Sequence, residues 1–232
     1  MAMRPGFITV DDHPLYRHGV SMLVGEELRL ECVGEAGSVP EALELLASKR
    51  PRLAIVDISL QGQSGLELVR TIKSEYPETA VLVVSMHEEN LYGERALKAG
   101  ARGYVVKHDS PSVLLDAVRT ILEGRIAVSD ALRERMLEGI AGGRSAAEPV
   151  TRLSDRELEV FTLIGKGCGA AEIAERLGLS VKTVNAYRDH IKDKLGLTGA
   201  AELRKYAVEW GSRAERGAGP GTERGGGSEP RD

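Results

Sequence analysis

The sequence predicts an α/β domain, a doubly wound parallel five-stranded sheet, followed by an all-α four-helix domain. Three observations carry this. Four short runs, residues 7–10 (FITV), 53–56 (LAIV), 81–84 (VLVV) and 103–106 (GYVV), are apolar throughout and bounded by polar residues or turn signals. Strands buried on both faces read this way. Helix-like segments separate the runs, an alternation that builds open parallel sheets. Beyond residue 150 the apolar spacing becomes helical, and a three-residue turn, GLS, divides two of the helices.

Each run ends in a reactive residue: Asp11 and Asp12 after the first, Asp57 after the second, Ser85 after the third and Lys107 after the fourth. Open parallel sheets work outside the carboxyl ends of their strands. In the flavodoxin-like order 2-1-3-4-5 the strands ending in Asp12 and Asp57 are neighbours, about 4.8 Å apart. The three carboxylates then crowd one pocket, where they cannot all stay ionised cheaply without a cation. A hard divalent ion with oxygen ligands, most naturally Mg²⁺, resolves the conflict. A carboxylate nucleophile, a metal, a hydroxyl and an ammonium then surround one phosphoryl group.

The runs ITVDDHPLYRHGV, LAIVDISLQGQSGLEL, VLVVSMHEE and ARGYVVKHDS resemble the receiver domain of two-component response regulators across roughly residues 6–123. That resemblance implies that Asp57 is the phospho-acceptor. It implies that Asp11 and Asp12 hold the metal, helped by the backbone carbonyl of Ser59. Ser85 and Lys107 would contact the phosphoryl group, and Tyr104 would be the aromatic that follows Ser85 on activation. The Lys-Pro pairing common in receivers is absent, because His108 follows Lys107.

Plainer readings exist for each residue. Asp11-Asp12 before His13-Pro14 also suits a helix cap, with Pro14 in its favoured first turn. Ser85 and Tyr104 alone are ordinary strand residues, and Lys107 alone is an ordinary solvated lysine. His13 and His87 show no partner cluster at ligand spacing and read as surface or capping residues.

Composition narrows the class. A chain of 232 residues with 42% hydrophobic content has room for two ordinary cores. No run approaches the ~18 apolar residues of a membrane span, and no signal peptide opens the sequence. Cys32 and Cys168 fall in different halves, which suits a reduced, cytoplasmic protein without disulfides. Residues 1–123 carry 13 Lys/Arg against 18 Asp/Glu, whereas residues 150–211 carry 10 against 9. An acidic domain joined to a near-neutral one fits a regulator better than a basic coat protein.

The expected boundaries are 1–123, a linker at 124–149, 150–211 and a tail at 212–232. Within the linker, Val128, Leu132, Met136 and Ile140 repeat every fourth residue and predict a short helix over 128–140. GGRSAAEP then reads as flexible linker, and GAGPGTERGGGSEPRD as a disordered tail.

In the second half, Ser154 with Glu157 gives a capping-box signature, and Leu158, Phe161, Leu163 and Ile164 form an apolar face. The helices AAEIAERL and VKTVNAYRDHIKDKL flank GLS, and AAELRKYAVEW ends the set at Gly211. Two helices around a Gly-containing turn make a helix-turn-helix, although a plain four-helix bundle has the same outline. LSDRELEVFTLIGKG…EIAERLGLSVKTVNAYRDHIKDKLGL resembles the LuxR-type DNA-binding domain across about 60 residues. Receiver plus LuxR-type domain is the architecture of NarL/FixJ-family response regulators. Where that family often has Ser-Asn-Lys before the scaffold helix, this chain has Gly169, Ala170 and Ala171, a weaker cap with fewer phosphate contacts.

Phase divides the recognition helix. Val184, Arg188, Ile191 and Leu195 share an inward face, with Arg188 at its edge. Lys182, Thr183, Asn185, Ala186 and Asp189 sit where such helices reach base edges, flanked by Tyr187, His190 and Lys192. On the last helix, Leu203, Tyr206, Ala207 and Trp210 form a stripe expected to serve dimerisation, although some of these residues must pack internally.

The reading is a phosphorylation-switched transcription factor, not an enzyme. Its implied partners are DNA, a sensor histidine kinase, a second copy on DNA, and RNA polymerase. A haloacid-dehalogenase-like phosphatase fits poorly, since its D-x-D motif follows the first strand. A phosphorylation-independent regulator leaves the full acid–hydroxyl–lysine set without a use.

Overall fold

Alternate residues of a strand face opposite sides of its sheet, so runs apolar at every position need cover on both sides. The computed structural model, which describes residues 5–60, 62–87, 89–141 and 149–217, shows that arrangement. Strands β1 (Gly6–Val10), β2 (Glu31–Ala36), β3 (Leu53–Asp57), β4 (Ala80–Ser85) and β5 (Gly103–Val106) form one parallel sheet in the order β2-β1-β3-β4-β5. On one face Phe7, Ile55, Leu82, Val84 and Val105 pack beneath Val20 and Val24 of α1 (Pro14–Leu28) and Val118 and Ile121 of α5 (Pro111–Leu122). On the other, Ile8, Val56, Val83 and Tyr104 meet α2 (Val39–Lys49), α3 (Gly65–Glu75) and α4 (Glu89–Ala99). The edge strand β2, ECVGEA, is mostly accessible and has no continuous apolar run, so its residues alone carry no strand signal.

Helix α6 (Asp130–Ala141) is seated on α4 through Leu132, which lies so close to Gly93 that a Cβ there would come within 2.6 Å of it. The expected fourfold stripe therefore has one buried anchor among its described side chains, Leu132. Residues 142–148, all but the last of the expected GGRSAAEP stretch, and the tail from 218 onward lie outside the described residues.

The second half holds α7 (Asp155–Gly165), α8 (Ala170–Leu177), α9 (Val181–Leu195) and α10 (Ala200–Gly217), after a 3₁₀ turn at Pro149–Arg152. Ser154 and Glu157 form the reciprocal capping box. Gly178 and Gly196 end α8 and α9 in the left-handed conformation that glycine adopts without strain. Two expectations change here. Helix α10 continues past Gly211 to Gly217, because a lone glycine does not stop a helix already stacked on α7. The stripe assigned to dimerisation packs internally: Leu203 and Ala207 are buried, and Tyr206 and Trp210 lie 6.0 and 5.3 Å from the Phe161 ring.

The two halves share an interface at the carboxyl end of the sheet. Arg70 of α3 and Arg95 of α4 grip opposite oxygens of Asp155, at 2.6 and 3.1 Å. Arg95 also donates to the Leu153 and Val150 carbonyls. The loop after Asp57 is held too, since Gly62 N–H donates to the Leu177 carbonyl at 3.0 Å.

Candidate metal centre and nucleic-acid interface

The strand ends bring Asp11, Asp12 and Asp57 together, with one potential ligand atom from each and from His13 all within 4.8 Å of one another. Asp57 is 2% exposed, at the end of the central strand. Lys107 supplies the counter-charge, its Nζ 2.6 Å from Asp11 Oδ2 and 2.7 Å from Asp57 Oδ2. One ammonium does not neutralise three carboxylates. Burial, with Asp11 adding to it, pushes Asp57 above the usual carboxylate range despite the opposing pull of Lys107. Burial works against the Lys107 ammonium, yet the Asp57 and Asp11 carboxylates hold it above its ordinary value.

Backbone donors fix the acids. Asp11 Oδ1 accepts from His13 N–H at 2.8 Å, and Asp57 Oδ1 from Ser59 N–H at 3.1 Å. Asp12 Oδ1 is buried without a formed hydrogen bond, its closest opposite group being His13 Nδ1 at 2.8 Å. An excess of carboxylate oxygens, one lacking a donor, fits a hard divalent cation.

Four neighbours of this pocket have no site role in the sequence reading, which passes over Tyr16 and Arg17 and takes His13 and His87 for surface or capping residues. The Tyr16 ring lies 4.5 Å from Lys107 Nζ, a cation–π contact that closes the pocket over the ammonium. Arg17 donates to the Asp11 carbonyl at 2.5 Å and pins the acidic turn. His13, read as a surface or capping residue, is the exposed N-cap residue of α1 and lies beside the acids. His87 is half-buried: its Nε2 lies 3.2 Å from Ser59 Oγ, and its ring packs on Tyr92 at 4.6 Å. Burial, then Lys166 and Lys107, lower its pKa to about 4, so the imidazole is neutral. Only spacing hinted at this, since His87 follows Ser85 by two residues and Tyr16 lies in the first turn of the helix after the acids.

Ser85 is fully buried on β4, where its Oγ accepts from His87 N–H at 3.1 Å. Tyr104 is turned inward, donating its hydroxyl to the His87 carbonyl at 2.7 Å. One short loop therefore ties Ser85, Tyr104 and the residue after Ile58 together through His87.

On α9, Val184 and Ile191 are buried and Arg188 is half-buried, as phase predicted. Lys182, Asn185, Ala186 and Asp189 are exposed. Thr183 spends its hydroxyl on Ser180 at 2.7 Å, and Lys192 pairs with Asp189 at 3.0 Å. Tyr187 instead lines a cleft of about 420 Å³ with Glu67, Arg70 and Arg95 of the first half.

Comparison with known proteins follows the same division. Residues 7–119 match the response regulator receiver domain, and residues 151–207 the luxR family of bacterial regulatory proteins. The chain is 36% identical to an oxygen regulatory protein NreC of Staphylococcus epidermidis, over 87% of this chain and 96% of that protein. It is 38% identical to the transcriptional activator protein ExaE of Pseudomonas putida, over 89% and 97% respectively. Among solved structures it resembles RcsB of Salmonella enterica serovar Typhimurium bound to promoter rprA with phosphomimetic BeF3⁻, at 25% identity, TM-score 0.59, and 88% and 98% coverage. A second RcsB structure, of two dimers bound to two parallel DNAs, matches with TM-score 0.54 at 25% identity and the same coverage.

Proposed function

This chain belongs to the two-component response regulators that join a receiver to a LuxR-type DNA-binding domain, and we propose that it is a transcription factor switched at Asp57 by a partner histidine kinase. The observation that carries this is the buried Asp11–Lys107–Asp57 bridge in a chain whose helix-turn-helix presents an exposed reading face. We assign the receiver to 1–123, the linker to 124–149 and the DNA-binding domain to 150–211, with α10 running on into the tail. The site of action is the cytoplasm, where DNA and a kinase's donor phosphohistidine are both accessible.

An Asp57 carboxylate oxygen attacks phosphorus as the kinase's histidine nitrogen–phosphorus bond breaks. Asp11, Asp12, Asp57 and the Ser59 carbonyl are the ligands we assign to Mg²⁺, which when bound offsets the negative charge gathering on the transferring group. Lys107 exchanges its contact with Asp57 for one with the phosphoryl oxygens, and Tyr16 keeps the ammonium in place during that exchange. Ser85 turns toward the phosphoryl group, and its hydroxyl leaves His87. Tyr104, bound to the same residue, follows. This is a local charge event biasing a two-state element.

Lys107→Ala is expected to leave the fold and phosphoryl uptake measurable while uncoupling uptake from DNA binding. Tyr16→Leu should weaken the coupling in the same direction, and Tyr16→Phe should not, since the ring face is what holds the ammonium. Gel-shift titration of the phosphorylated variants checks this. If phosphorylated Lys107→Ala binds DNA as tightly as phosphorylated wild type, Lys107 does not sense the phosphoryl group.

Helix α9 supplies base contacts from the major groove, with Asn185 suited to adenine, Asp189 to cytosine, and Lys182, Thr183, Ala186 and Lys192 around them. Ten Lys/Arg against nine Asp/Glu across 150–211 give one domain weak non-specific affinity. Two copies on paired half-sites, about 34 Å between centres, compensate. The outward face of α10, with Arg204, Lys205 and Val208 beside Arg188, is the contact we assign to that pair, replacing the internal stripe. RNA polymerase is the partner such a complex would recruit at a promoter. Asn185→Ala should cost roughly 1–3 kcal/mol and relax preference at one base pair, while Lys182→Ala weakens all sequences evenly. An Asn185→Ala selection profile identical to wild type on a randomised library would remove Asn185 from base readout.

A further inference from the structure

The interface between the two halves contains a carboxylate that the switch at Asp57 does not use. Glu159, on α7 of the DNA-binding half, is 1% exposed. Its Oε1 is 3.5 Å from the Ser64 hydroxyl of the receiver, at the N-cap of α3. Its Oε2 pairs with Arg156 at 2.5 Å, and Arg156 reaches across to the Leu60 carbonyl at 3.5 Å. The groups facing Glu159 can be named from each element. Helix α7 contributes Arg156 and Asp155; the start of α3 contributes the Ser64 hydroxyl; and α4 contributes the fully buried Tyr92. Two further cations of the interface, Arg70 and Arg95, are committed to Asp155, and Lys166 acts on His87. One buried carboxylate therefore has one paired cation, a second acid alongside, and a hydroxyl and the buried Tyr92 ring from the opposite domain.

We propose that docking of the DNA-binding half onto the receiver takes up a proton at Glu159, so that the closed form tightens as pH falls. Its residues are outside the acidic pocket, and it operates without a phosphoryl group, so it goes beyond the switch at Asp57. Burial, partly opposed by Arg156, pushes Glu159 up to about 7 in the docked form. Released into water, the carboxyl returns to its ordinary value near 4.3. The docked form then binds more protons. Its extra stability is complete below the released value and is lost as pH rises through about 7. His87, the neighbouring histidine, is neutral down to about 4 and does not titrate in that window.

Gly62 reports docking directly, because its N–H is bonded to the Leu177 carbonyl across the interface. We expect its amide protection in the unphosphorylated full chain, corrected for intrinsic exchange, to rise about tenfold from pH 8 to pH 6. Glu159→Gln should be protected at both pH values, with no rise. Asp155→Asn should lower protection throughout and move the rise to lower pH, because it removes the neighbouring acid. Ser64→Ala, made on the receiver side so that α7 stays intact, removes a donor to the carboxylate and should move the rise to higher pH. A flat wild-type profile, or an unchanged slope in Glu159→Gln with an unmoved midpoint in Ser64→Ala, overturns the proposal. Because no phosphodonor is present, these outcomes are independent of whether Asp57 is the acceptor.

Discussion

Incubated with acetyl phosphate and Mg²⁺, the wild-type chain is expected to gain one phosphoryl group, and Asp57→Ala none. The contrast should be complete, since Asp57 is the carboxylate on the central strand with burial and Asp11 raising its pKa and Lys107 holding one oxygen. The bond formed is an acyl phosphate, so mild alkali should release the label. The substitution should not unfold the receiver. Removing one of three crowded carboxylates relieves repulsion and leaves Lys107 its second partner, Asp11. Intact-mass measurement with thermal melting checks both statements. Label persisting in Asp57→Ala, or uptake without a divalent ion, would show that another residue or another chemistry is at work.

Gly65→Ala should have the largest effect on stability. A Cβ at that position would lie 1.9 Å from the Asp57 carbonyl oxygen and 2.7 Å from Ile58 Cα, both backbone atoms of the strand end that carries the acceptor. Gly65 N–H also donates to the Ile58 carbonyl at 2.8 Å, so the loop cannot open without losing that bond. The clash should cost about 3 kcal/mol or more, roughly 10 °C in Tm for a domain of this size. Gly169→Ala, where nothing lies within 4 Å, serves as the control and should change stability by less than about 1 kcal/mol. Equal melting of the two variants would mean that the loop after Asp57 is looser than its geometry states.

The parallel sheet was legible because burial on both faces leaves an unmistakable trace, near-continuous apolar runs in β1, β3, β4 and β5. Strand β2 left none, since at the edge most of Glu31–Ala36 remains accessible. Helices α8 and α9 were legible to the residue because Gly178 and Gly196 mark their ends. The same glycine logic misplaced the end of α10: Gly211 carries no left-handed turn, and packing of Tyr206 and Trp210 on Phe161 holds that helix on course. At the site, Asp11, Asp12, Asp57 and Lys107 were readable because each ends a strand. Tyr16 and His87 were not, since their roles come from side chains meeting across elements. The interface of Arg70, Arg95, Asp155 and Glu159 was wholly hidden, because its partners lie 60 to 95 residues apart and each looks like a solvated surface charge on its own helix.

The central claim is that the chemistry at Asp57 governs the helix-turn-helix. Titration of the full chain against a randomised DNA library at one fixed salt concentration, before and after acetyl phosphate with Mg²⁺, tests it most directly. Phosphorylation should raise the affinity for selected sites in wild type and leave Asp57→Ala unchanged. Selected-site affinity that is equal with and without the phosphoryl group, in a sample shown by mass to be fully phosphorylated, would contradict it and leave a DNA-binding protein with a merely structural receiver.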